Sequence, residues 1–121
     1  FQRPPYDHAK LIYCIAGRVQ DVALDLRIGS PTYGQHFSLE LSAETANMIY
    51  LPPGLAHGIC CYDQPATLVF NNSTVYQPEA DAGIRWDSAH IDWSCKAPLI
   101  SDRDRAFPAL ADFVSPFSYA P

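Results

Sequence analysis

The sequence predicts an all-β fold: an antiparallel β-sandwich, jelly roll or barrel, with a short helical segment near the C-terminus. Three observations lead there. About six short apolar or alternating runs precede residue 71. A turn signal interrupts them at intervals of roughly eight to twelve residues. No stretch before residue 100 holds a helical period.

The runs can be taken in order. Residues 11–15 are apolar and stop at Gly17. Residues 19–27 alternate, with Val22, Leu24 and Leu26 on one face and Asp21, Ala23, Asp25 and Arg27 on the other. Gly29-Ser30-Pro31 is a turn. Residues 36–41 alternate again, which predicts Phe37, Leu39 and Leu41 inward and His36, Ser38 and Glu40 outward. Residues 46–51 form an apolar run ending at Pro52-Pro53-Gly54, which cannot sit inside a sheet because proline lacks an amide donor. Residues 59–62 follow, then a turn at Asp63-Gln64-Pro65, then residues 66–70. Residues 71–93 are polar and irregular. Ser101, with Asp104 three residues on, has the pattern of a helix N-cap. A proline-rich tail ends the chain.

At 121 residues, the chain is expected to be one domain over residues 1–121 with a single core. Thirteen acidic against eight basic residues give a net charge of −5, and no basic stripe appears. Nucleic acid is therefore not the expected partner, although a few well-placed cations would still hold a nucleotide sugar. No apolar run is long enough to span a membrane, so none is expected as a partner. The four cysteines show no CxxC spacing, and the neighbours Cys60 and Cys61 would point to opposite faces of a strand. They read as small buried residues of a reducing, cytoplasmic protein.

The chemistry on offer is limited. His8, His36, His57 and His90 lie far apart, with no His-x-His pair, so no catalytic metal is expected. No G-x-S-x-G elbow and no phosphate loop is present. Proton chemistry on a bound small molecule remains. His57, held between a rigid turn and a strand, suits it, or is an ordinary core histidine. Lys10 is an oxyanion or phosphate partner, or a solvated strand-end lysine. Asp102 orients a histidine, or caps a helix. Tyr76 stacks on a base, or is simply exposed.

An ordered set of segments then lines up. It includes Phe1-Gln2-Arg3-Pro4-Pro5, Ala9-Lys10-Leu11, the run from Gly17 to Arg27, Gly29-Ser30-Pro31-Thr32-Tyr33-Gly34-Gln35 and Glu40-Leu41-Ser42-Ala43-Glu44. Later come Pro53-Gly54-Leu55-Ala56-His57-Gly58, Tyr76-Gln77-Pro78-Glu79, Gly83-Ile84-Arg85-Trp86, Ile91-Asp92-Trp93 and Leu99-Ile100-Ser101-Asp102-Arg103-Asp104. The set resembles the dTDP-4-dehydrorhamnose 3,5-epimerase family. The resemblance implies a cupin-type jelly roll, a homodimer, no metal and no cofactor. It also implies a dTDP-4-keto-6-deoxy sugar whose C3 and C5 protons are acidified by the C4 ketone. By the same resemblance, Lys10 lies near the keto oxygen or phosphates and His57 of the A-H-G motif lines the site. Tyr76 stacks on thymine, Asp102 hydrogen-bonds the catalytic histidine, and Asp81 is an acidic substrate contact.

Two departures accompany these matches. The family's base, a histidine in an R-G-L-H motif, precedes the residues matching Phe1-Gln2, and the chain starts just past it. The family's proton-donating tyrosine is replaced by Phe70, and a phenyl ring has no proton to give. The resemblance thus implies an epimerase with impaired turnover. A nucleotide-sugar binding module or a purely structural domain are the alternatives. Without the family's N-terminal strands, the chain is expected to pair differently from the family dimer or to cover a sheet edge with its tail, where Phe113, Phe117 and Tyr119 stand.

Overall fold

A computed structural model describes residues 1–62 and 65–121. The turn expected at Asp63-Gln64-Pro65 therefore falls largely outside the described residues. Six strands follow one another: β1 (Lys10–Ala16), β2 (Arg18–Asp25), β3 (His36–Ser42), β4 (Met48–Leu51), β5 (Leu55–Cys61) and β6 (Thr67–Asn72). They form two antiparallel three-stranded sheets, ordered β4-β1-β6 and β3-β2-β5. The all-β sandwich expected from the alternating runs is the one found.

The chain passes from one sheet to the other at Gly17, whose φ of +72° and closeness to the Pro65 carbonyl leave no room for a side chain. Between the sheets, Ile12, Cys14, Val19, Ala23, Leu41 and Leu51 pack as one buried cluster. On the outer side of β2, Leu24 and Leu26 meet Ala89 and Phe117 in a second cluster. The C-terminal tail makes that cover. Phe117 is buried, and Phe1 packs edge-on against both Phe113 and Phe117 at 5.5 Å. Ile28 and Tyr119 extend the contact through backbone hydrogen bonds.

β2 departs from the simple alternation. Seven consecutive residues, Val19–Asp25, are buried. The strand is central, with one face against the opposite sheet and the other under the tail, so its polar positions are not solvent-facing. Asp25 is accommodated at its end by a dense set of donors. Its carboxylate accepts from the Arg27 amide and Nε at 2.9 Å, and from Arg27 Nη2, Ser30 Oγ and Thr32 Oγ1 at 2.7 Å.

Three boundaries also differ from expectation. Phe37 is 61% exposed rather than inward, because β3 is an edge strand and only its Leu41 end lies under the other sheet. Ala46 has φ +50° and belongs to the turn before β4. β5 begins at Leu55, directly after the positive-φ Gly54, so His57 lies inside a paired strand opposite Ala23. The short helix α1 (Asp102–Arg105) forms where the Ser101 cap predicts it, with Ser101 Oγ accepting from the Asp104 amide at 3.1 Å. Among the described residues, no helix is long and apolar enough to cross a membrane.

Candidate active site

The two sheets contribute facing side chains near their open edges. On β2, Asp21 shares the inward parity of Val19 and Ala23. On β5, His57 pairs with Ala23 and reaches diagonally to Asp21, Nε2 to Oδ2 at 2.7 Å. Both side chains are removed from water, the Asp21 side chain fully and that of His57 to 6% exposure. From the other sheet, Phe70 pairs with core-facing Ile12 and so points inward. Its ring meets the His57 ring edge-on at 5.7 Å. Lys10, two residues before Ile12 on β1, takes the same face.

A segment pairing outside the sheets builds the rim. Gln2 bridges to Asp81, and its buried side chain accepts from the Gln77 amide and donates to the Tyr6 carbonyl, each at 2.7 Å. This fixes the loop that carries Tyr76 and Asp81. Asp81 in turn receives Arg103 from α1 in a bidentate pair of 2.8 and 2.9 Å. A cavity of about 260 Å³ results, lined by Lys10, His57, Phe70, Tyr76, Asp81 and Arg103, with His8 and Asn72 nearby. A second cavity of about 440 Å³ shares Phe1, His57, Phe70 and Arg103 and continues under Trp86 and Trp93.

Electrostatics follow from burial. Burial pushes the Lys10 ammonium below its ordinary value, and Asp81 and Asp21 pull it part of the way back. Burial likewise lowers His8, with Lys10 adding to the effect. The Asp81 pairing raises Arg103 further. Asp21 Oδ1 has no hydrogen-bond partner among the described residues, so the dyad keeps one acceptor open. Among the described residues, no group of three or more His, Cys, Asp or Glu is arranged to hold a metal.

The structure brings together Lys10, His57, Phe70, Tyr76 and Asp81 on one cavity. Asp102 is not brought to this cavity. Its side chain is fully exposed and faces Arg105 at 3.7 Å, away from either cavity. It is the first residue of α1, and the helical turn that aims Ser101, Arg103 and Asp104 at the cavity carries Asp102 to solvent. The carboxylate on His57 is Asp21. A charged residue within an alternating strand is the available signal, but alternation with Val22, Leu24 and Leu26 on one face does not show that the Asp21 face is covered too.

Comparison with known proteins gives this arrangement a context. The family model for dTDP-4-dehydrorhamnose 3,5-epimerase matches residues 1–112. The dTDP-4-dehydrorhamnose 3,5-epimerase of Shigella flexneri is 39% identical over 106 residues, which is 86% of this chain and 59% of that protein. The dTDP-6-deoxy-D-glucose-3,5-epimerase RmlC of Legionella pneumophila, solved in complex with dTDP-4-keto-L-rhamnose, superposes with a TM-score of 0.92 at 30% identity. That match covers 98% of this chain and 66% of the other. The enzyme of Bacillus anthracis, solved with TDP and PPi bound, superposes with a TM-score of 0.89 at 34% identity, over 91% and 64% respectively. The chain spans 59%, 63% and 53% of three curated relatives it matches. Its strands are laid out as in those cupin-like enzymes, and the chain belongs to the dTDP-4-dehydrorhamnose 3,5-epimerase family.

Proposed function

We propose that the cavity binds a dTDP-4-keto-6-deoxy sugar and exchanges the protons flanking its ketone, with impaired inversion. The observation that carries this reading is the convergence of the His57–Asp21 pair, Lys10 and Phe70 from two sheets on one cavity. A carboxylate can only accept, so Asp21 receives the Nε2 proton of His57 and leaves Nδ1 as the basic nitrogen. Removal of a C3 or C5 proton places charge on the ketone oxygen, where an ammonium such as Lys10 stabilises it. Lys10 serves the diphosphate equally well, Tyr76 offers its exposed ring to the base, and Asp81 acts by holding Arg103 at the rim. Where the family places a donor on the opposite face of the sugar, Phe70 supplies none.

The test is NMR of a dTDP-4-keto-6-deoxyhexose in D₂O with the chain. Deuterium is expected at C3 or C5 faster than configuration inverts, and His57→Asn is expected to abolish the incorporation. Incorporation no faster than buffer would overturn the catalytic reading.

A second reading, a nucleotide-sugar binding module without turnover, is favoured by Phe70 alone. Under it dTDP at 100 times Kd still stabilises the chain by about 2.7 kcal/mol. Both readings share one expectation. Lys10→Gln should weaken dTDP-sugar binding by about tenfold or more in calorimetry, since a hydrogen bond to a charged group is worth about 1.5–3 kcal/mol.

A homodimer belongs to the same proposal. The outer face of the β4-β1-β6 sheet presents Ile15, Met48 and Tyr50, each more than half exposed. Light scattering is expected to give twice the chain mass.

A further inference from the structure

Gln20 lies opposite Cys60 across the β2–β5 pair, so the two side chains share the outer face of that sheet. The Gln20 amide is fully engaged. Its Nε2 donates to Ser38 Oγ at 3.0 Å and to the Asp92 carbonyl at 2.9 Å, and its Oε1 accepts from Ser94 N and Oγ at 2.7 Å. This clamp fixes residues 92–94 over the outer face, so that the next residue, Cys95, lines the same cavity as Cys60. The Cys60 thiol, which donates to the Cys61 carbonyl at 3.5 Å, is pushed up from its ordinary value by burial first and then by the neighbouring Cys95.

The other two cysteines are oriented differently, although Cys61 borders the same cavity as Cys60 and Cys95. Cys61 follows Cys60 on an extended strand and takes the opposite parity, opposite Val19. Cys14 is buried in the core, its thiol donating to the Ala16 and Gly17 carbonyls. Cys60 and Cys95 are both partly exposed and line a cavity of about 440 Å³ walled by Trp86, Trp93, Leu99 and Ile100. A small reagent therefore has a route to the pair.

We propose that Cys60 and Cys95 form a redox modification site, in which a low-molecular-weight disulfide joins them and locks residues 92–100 onto β5. One thiolate attacks the small disulfide, forming a mixed disulfide and releasing one small thiol. The second protein thiolate then attacks the protein sulfur and releases the other. Two electrons pass from the protein to the reagent, which leaves as two thiols, and an excess of thiol reverses the exchange. Trp93, Leu99 and Ile100 also wall the cavity that His57 and Phe70 share. The bond would thus hold one wall of that cavity in place.

Oxidised glutathione is the probe. Titratable thiols are expected to fall from the four of the sequence to two, without retained glutathione, and peptide mapping is expected to join Cys60 to Cys95. Cys95→Ser and Cys60→Ser should each prevent the cross-link, while Cys61→Ser should leave it intact. Amide exchange over residues 96–100 is expected to slow by about tenfold in the oxidised chain. Glutathione adducts without a cross-link, a bond involving Cys61, or unchanged exchange in the oxidised chain would each overturn the proposal.

Discussion

Phe70→Tyr is expected to raise the rate at which the sugar inverts by about 10²- to 10⁴-fold, the usual contribution of a positioned general acid. His57 lies on β5 and Phe70 on β6, so the two meet across the gap between the sheets rather than side by side on one strand. Under the proposed reaction, with no donor at Phe70, an enolate formed at His57 takes its proton back from the side that lost it. Deuterium then enters with configuration retained. A phenol at the same position would supply the other face. Phe70 is 43% exposed and lines the cavity, so an added hydroxyl meets solvent or substrate rather than an apolar core. The readout is the ratio of inverted to exchanged sugar by NMR, with circular dichroism confirming that the variant folds. A ratio that stays at the unsubstituted value would show that this position does not deliver the proton.

Asp25→Ala is expected to cost about 3–5 kcal/mol of folding stability, the range for breaking a buried ion pair from one side. Asp25 is 5% exposed and receives five hydrogen bonds from Arg27, Ser30 and Thr32. Its loss leaves a guanidinium and two hydroxyls facing a space that held their acceptor. The same residue sets an acid limb. Burial opposes the charged form, but the donors from Arg27, Ser30 and Thr32 outweigh it and hold the carboxyl well below its ordinary value of 3.8. A depressed carboxylate contributes stability that is present above the unfolded value and lost as pH falls through the folded one. Urea unfolding should therefore weaken steadily from about pH 4 downward in the unsubstituted chain. That slope should be shallower in Asp25→Ala. Parallel pH–stability curves would remove Asp25 as its source.

Much of the fold was legible because alternation and turn residues act locally. Gly17, Pro52-Pro53-Gly54 and the Ser101 cap each do what their backbone chemistry dictates. What alternation does not encode is how many faces of a strand are covered. β2 carries polar residues at every other position yet lies buried on both sides, because the opposite sheet covers one face and the tail the other. Asp21 was hidden by that. Phe37 fails in the reverse direction, an apolar residue on an edge strand with nothing laid over it. Lys10, His57, Phe70, Tyr76 and Asp81, which line one cavity, are singled out by ordered motifs, which carry position without geometry. Asp102 shows the limit. Within Ser101-Asp102-Arg103-Asp104 a motif places the segment, but only the helical turn decides which of its side chains faces inward.

The two halves of the candidate site ride on separate sheets. Asp21 and His57 belong to one, Lys10 and Phe70 to the other, and among the described residues no strand joins the sheets by hydrogen bonds. Their separation is set by what fills the space between, namely Ile12, Val19, Leu41 and Leu51. The hydrophobic core thus works as a spacer gauge for the candidate site. A methylene added to or removed from it changes the distance between the two halves, so stability and site geometry are adjusted by the same atoms.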